Sequence, residues 1–220
     1  MSQSIPEPGS SPDMAPFDLE EKSLGLERLV FFSDAVFAIA ITILILDIRL
    51  PAGEEAFTNA QLLAQLLGIW QKYLAYIISF LVIGSFWVSH HRKFSYIRRY
   101  DGNLLVLNLL LLMAIAFIPF PTSVISEYAN STATIFYALT MIVAGLLSIA
   151  LWAYATRHHR LVDAQLDAGF RRQQFLSPLI TIVLFSLSIG IAFINDGLAR
   201  LMWLMIIPVS GFLRRKMHLI

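Results

Sequence analysis

Apolar residues along this chain fall into six long runs separated by short polar or charged breaks. The runs cover roughly Leu29–Ile48, Ile69–Ser89, Asn103–Ser126, Thr132–Thr156, Leu176–Ile194 and Leu198–Leu213. A helix needs about 20 apolar residues to cross the hydrocarbon of a bilayer, so the pattern predicts an all-α polytopic membrane protein with six transmembrane helices. The sixth run is the shortest, with room for a tilted or partly interfacial segment. Asn195-Asp196-Gly197 is a tight-turn signal, which makes the last two runs a hairpin. Pro119 and Pro121 fall inside the third run. Each removes a backbone donor, so the helix either bends there or ends there. No second copy of the first run is found, and the internal-repeat design of many transporters is therefore not evident.

Composition sharpens this reading. Of 220 residues, 57% are hydrophobic and 14% charged, against about 25% charged in a typical soluble domain. The absence of cysteine excludes disulfides, thiolate metal sites and cysteine nucleophiles. A net charge of +1 points to no nucleic-acid partner. With the N-terminus inside, 13 of the 16 Lys and Arg residues fall on inner segments and 3, Arg49, Lys72 and Arg200, on outer ones. The positive-inside rule then places both termini in the cytoplasm. Residues 1–27 read as a cytoplasmic tail, rich in proline up to Pro16 and acidic beyond. It lacks the basic start and apolar middle of a signal peptide. Asp18 to Glu27 is either a short interfacial helix or a solvated leader. The six-helix transmembrane domain spans 28–216, and 217–220 form a cytoplasmic end.

The first run opens on Arg28 and carries Ser33-Asp34. Asp34 sits about 9 Å along the helix axis from Arg28. A carboxylate at that depth costs a few kcal/mol on insertion scales unless partnered, so Asp34 is expected to face protein. At 100° per residue, with Ile39 as zero, Ile43 lies at about +40°, Leu46 at about −20° and Thr42 at about −60°. Asp34 falls nearly opposite, at about −140°. The second run ends Phe86-Trp87-Val88-Ser89-His90-His91-Arg92, which puts Trp87 at a depth similar to Asp34 in an antiparallel neighbour. Trp87 donates only, whereas His90 can donate through either ring nitrogen. The two share a helix face. They could join Ser33 and Asp34 in a buried network, or lie in an interfacial aromatic belt.

Arg28-x-x-x-Phe32-Ser33-Asp34, followed by Ala-Val-Phe-Ala-Ile-Ala-Ile-Thr, resembles the signature of the transmembrane protein 175 potassium-channel family. Phe86-Trp87-Val-Ser-His90-His91 is similar to that family's second-span stretch. The resemblance implies a homotetramer of six-helix subunits in the cell membrane, with the first helices lining a central pore. It implies passive conduction of K+, with Cs+ and Rb+ as candidate permeant ions, and no cofactor or tightly bound structural metal. Selectivity and gating would rest on rings of Ile39, Ile43 and Leu46 with Thr42 beside them. An apolar constriction of this kind can gate by dewetting. Arg28, Ser33, Asp34, Trp87 and His90 would form a hydrogen-bonded network behind the pore.

Asp47, just past Leu46, either forms an acidic ring at the outer mouth or pairs with Arg49 or solvent. The inner arginines and His158-His159-Arg160 read as topology determinants and contacts for anionic membrane lipid. A proton-coupled transporter using Asp34 and His90 as a relay is the alternative function. An enzyme is not expected: no His-Glu-x-x-His appears, and His90-His91 and His158-His159 are adjacent pairs whose side chains diverge by about 100° on a helix.

Overall fold

The computed structural model describes residues 16–50, 57–128, 130–163 and 166–205. Within them the chain is helical: α1 (Pro16–Ile43), α2 (Asn59–Gly68), α3 (Trp70–Phe94), α4 (Gly102–Phe117), α5 (Pro119–Tyr128), α6 (Ser131–Thr156), α7 (Ala168–Gln173), α8 (Leu176–Ala192) and α9 (Asp196–Met202). Five stretches are long and apolar enough to cross a membrane: Leu24–Asp47, Trp70–Phe94, Gly102–Tyr128, Ser131–His159 and Ala168–Ala192. The protein is a multi-pass helical membrane protein. The sixth expected span begins with α9 and a 3-10 turn at Trp203–Met205, and its remainder lies outside the described residues.

Several boundaries differ from the sequence pattern. α1 is one unbroken helix of 28 residues, about 42 Å long, so Asp18 to Glu27 continue the first span rather than forming a separate helix. The tail before Pro16 lies outside the described residues. At the other end of α1, Leu44–Asp47 tighten into a 3-10 turn. Side chains at i and i+3 eclipse in that geometry, so Leu46 lines up over Ile43 instead of standing about 60° away. α2 was not expected. It is started by a capping box, in which Thr58 N donates to Gln61 Oε1 and Gln61 N donates to Thr58 Oγ1. α3 runs past Ser89 to Phe94, because nothing in Ser89-His90-His91-Arg92-Lys93 breaks a helix.

The third passage breaks at Ile118, between α4 and α5. Pro119 cannot donate to the Ile115 carbonyl, and Ile118 N takes that acceptor instead. The hairpin at Asn195 forms: its side chain accepts from Leu198 N at 3.0 Å and starts α9 back towards the bundle. There Trp203 stacks on Tyr137, with ring centroids 4.7 Å apart.

α1 packs on α3 and α4, and α6 packs along α8. The α6–α8 approach depends on Gly145. A Cβ there would stand 2.8 Å from Ile182 Cγ1 and 3.4 Å from the Pro178 carbonyl. Gly145→Leu is therefore expected to separate the two helices and destabilise the subunit by about 1–3 kcal/mol, as overpacking does. A thermal midpoint in detergent equal to the parent's would contradict this close packing.

Candidate functional site

α1 turns one face to its own subunit and leaves the other uncovered. Ser33, Phe37, Ala40 and Leu44 are buried. Ile39, Thr42, Ile43 and Leu46 are exposed on the subunit surface, Ile39 at 57% and Leu46 at 59%.

The buried face is held by two separate sets of hydrogen bonds. In one, Trp87 Nε1 donates to Asp34 Oδ1 at 2.9 Å. In the other, Ser33 Oγ donates to the Leu29 carbonyl at 2.8 Å and accepts from Asn108 Nδ2 at 2.9 Å. The second amide atom of Asn108, Oδ1, stands 2.9 Å from His90 Nε2. Because Oδ1 can only accept, His90 carries its proton on Nε2. Its Nδ1 is then a bare acceptor, buried and without a partner among the described residues. Phe94 stacks on the imidazole at 4.2 Å and Phe37 lies at 5.4 Å, so the surroundings suit a neutral ring.

The five residues expected to form one network do not do so directly. Arg28 is exposed and has no partner among the described residues. His90 reaches Ser33 only through Asn108, and among the described residues no hydrogen bond joins it to Asp34. Trp87 is a donor and cannot pass a proton onward. Asn108, fully buried on α4, is the residue the sequence reading missed. Its signal was present: one amide within Leu104-Leu-Val-Leu-Asn108-Leu-Leu-Leu-Leu, where a polar group needs partners.

Three other features depart from expectation. Lys93, counted among the inner topology charges, is only 1% exposed. Its Nζ donates to the carbonyl and hydroxyl of Ser148 on α6, at 3.0 and 2.6 Å. The extra turn of α3 carries it inward. Asp47 is half-buried, and its Oδ2 is buried without a partner among the described residues. It does not pair with Arg49, whose Nε donates to the Leu46 carbonyl instead. Nearer the other end of α3, Ser79 Oγ bonds Thr122 Oγ1 at 2.8 Å and Tyr137 Oη at 2.9 Å, joining α3, α5 and α6.

At the arginine-rich end, Asp101 starts α4 by accepting from Leu104 N at 2.9 Å. It also accepts from the Tyr154 hydroxyl at 2.6 Å and pairs with Arg160 at 3.2 Å. The Tyr154 hydrogen bond is the main reason its carboxyl is held below the usual carboxylate range. A lowered folded value means that this stabilisation is complete above the ordinary Asp range, near 3.9, and is lost as pH falls through the folded value. Asp101→Asn should therefore flatten the acid limb of a thermal-midpoint profile. Parallel limbs for parent and variant would show that Asp101 contributes nothing to it.

These elements define a multi-pass helical membrane subunit organised around its first helix. The polar side of that helix is tied to α3 and α4, and its aliphatic side is left open. The chain belongs to the TMEM175 family. The model of the endosomal/lysosomal potassium channel TMEM175 matches residues 28–119. A potassium channel of Streptomyces collinus is 41% identical over 176 residues, covering 78% of this chain and 84% of its own. A solved lysosomal potassium-selective channel TMEM175 homolog from Chamaesiphon minutus matches with a TM-score of 0.67 at 32% identity, over 84% of this chain and 98% of that one. The human endosomal/lysosomal proton channel TMEM175 is 32% identical over 164 residues, which are 69% of this chain and 32% of the human one.

Proposed function

We propose that the protein is a passive, potassium-selective channel of the cell membrane, assembled as a homotetramer with both termini in the cytoplasm. The observation that carries this reading is the division of α1. Its polar face is bonded to the subunit, while Ile39, Thr42, Ile43 and Leu46 remain uncovered. Around a four-fold axis these side chains form stacked aliphatic rings, with Leu46 directly over Ile43. A narrow apolar ring holds water poorly, so ions cross it only when it widens or wets. Potassium gives up hydration water more readily than sodium, which favours it at such a constriction. Asp34 with Trp87, and Ser33 with Asn108 and His90, hold the helix from behind; Arg28 stays at the exposed basic end. Asp47 at the outer end adds a cation-attracting charge.

Reconstitution of the full chain into liposomes tests this. A potassium gradient alone, without a pH gradient, is expected to drive flux. Absence of flux from folded, inserted protein would refute the channel. Saturable uptake that needs a proton gradient would support transport through Asp34 and His90 instead, but among the described residues no continuous hydrogen-bonded route joins those two.

A further inference from the structure

A recess of about 360 Å³ opens at the arginine-rich end of the bundle, away from the exposed aliphatic face of α1. It is lined by Arg98 and Arg99 from the α3–α4 loop, and by His159, Arg160, Leu161, Val162 and Asp163 from the loop after α6. The two loops are fastened by backbone. Arg98 N and Arg99 N both donate to the Leu161 carbonyl, at 2.8 and 3.2 Å, and Ile97 pairs with Val162 as an isolated bridge. The chain reaches this position by an uncommon route. His158 and His159 both have φ of 52°, the left-handed region that non-glycine residues seldom occupy. Such conformations persist only where surrounding structure holds them. Here the reversal brings His159 and Arg160 to face Arg98 and Arg99.

The charges around the recess are unbalanced. Arg98, Arg99, Arg160 and His159 line it, with Asp163 as the one acidic lining residue among the described residues. Arg160 is paired with Asp101. Arg98 and Arg99 are exposed and take part in no ion pair among the described residues. Forked guanidinium donors converging on a concave site match the oxygens of a phosphate better than point charges do.

We propose that this recess is a binding site for a phosphate-bearing anion, bound chiefly by Arg98 and Arg99 and supported by Arg160 and His159. The ligand chemistry is a phosphomonoester or phosphodiester, and its source is either the headgroup of an anionic lipid in the adjoining leaflet or a soluble phosphate. An occupant bridges the α3–α4 loop and the loop after α6. It thereby supports the start of α4, the helix that carries Asn108. The proposal does not depend on ion conduction.

The full chain serves for the test, with thermal midpoint and native mass spectrometry as readouts. One arm adds inorganic phosphate to detergent-solubilised protein. The other compares nanodiscs of phosphatidylcholine with nanodiscs that also contain phosphatidic acid. The midpoint is expected to rise in at least one arm, and the arm that responds identifies the source. Arg98→Lys/Arg99→Lys keeps the charges that set topology but removes the forked donors, and should weaken binding at least about tenfold. Arg171→Gln/Arg172→Gln, outside the recess, should leave binding unchanged. A rise retained in full by the lysine variant, or lost equally in the Arg171/Arg172 variant, would overturn the site. So would no rise and no retained phosphate adduct in either arm.

Discussion

Ile39→Asn is expected to raise potassium flux and to blunt discrimination against sodium, each by roughly tenfold. In the proposed tetramer, four isoleucines at one level would make a short dry stretch that an ion enters only with its hydration disturbed. Burying or exposing a side chain of this size changes free energy by about 1.5–3 kcal/mol, and 1.4 kcal/mol is a factor of ten. An amide offers water and ion a hydrogen-bonding wall and removes that barrier. Leu146→Asn is the control, because Leu146 is also exposed, at 53%, but on α6. It should alter stability and not permeation. Currents unchanged by Ile39→Asn would remove that residue from the ion path and assign its face to lipid.

Asn108→Leu should have the largest effect on the fold around α1. The substitution is close in size but removes both bonds made by the amide, to Ser33 and His90. Bonds between helices in membranes average about 0.6 kcal/mol and reach about 1.7. The Ser33 and His90 groups are also left buried without those partners, so a loss of about 1–3 kcal/mol follows. The functional consequence exceeds the energetic one. Released from α4, α1 can rotate, and the Ile39–Ile43–Leu46 stripe loses its fixed direction. Full stability with wild-type flux would show that the Ser33–Asn108–His90 link does not position α1. His90→Asn is a poorer probe, since it also removes the ring packed against Phe37 and Phe94.

Much of this was legible in the chain. Run length gave the apolar helices, because a membrane imposes length and hydrophobicity together. The Asn195 turn and the Pro119 break were readable because each follows from local backbone chemistry. The opposition of Asp34 to the aliphatic stripe followed from helical period alone. The rest depended on tertiary contacts. Trp87 and Asp34 could be placed at one depth, but the choice of Asn108 over Asp34 as the partner of His90 depends on where α4 crosses. Lys93 resembled its neighbouring surface cations in sequence, and only the reach of its Nζ to Ser148 on α6 distinguishes it. The 3-10 turn at Leu44–Asp47 has no residue signal that separates it from a continued α-helix. α2 differs, since Thr58 and Gln61 carry the capping-box spacing in the sequence itself.

The break at Ile118 has a mechanical meaning. On one side of it, α4 is joined to α1 and α3 through Asn108; on the other, Ser79 of α3 joins Thr122 of α5 and Tyr137 of α6. Along the third passage the subunit thus has two storeys, one on each side of Ile118, each with its own polar fastening. Injuries in separate storeys should add without amplifying each other, so one end of the protein can be remodelled while the other keeps its shape.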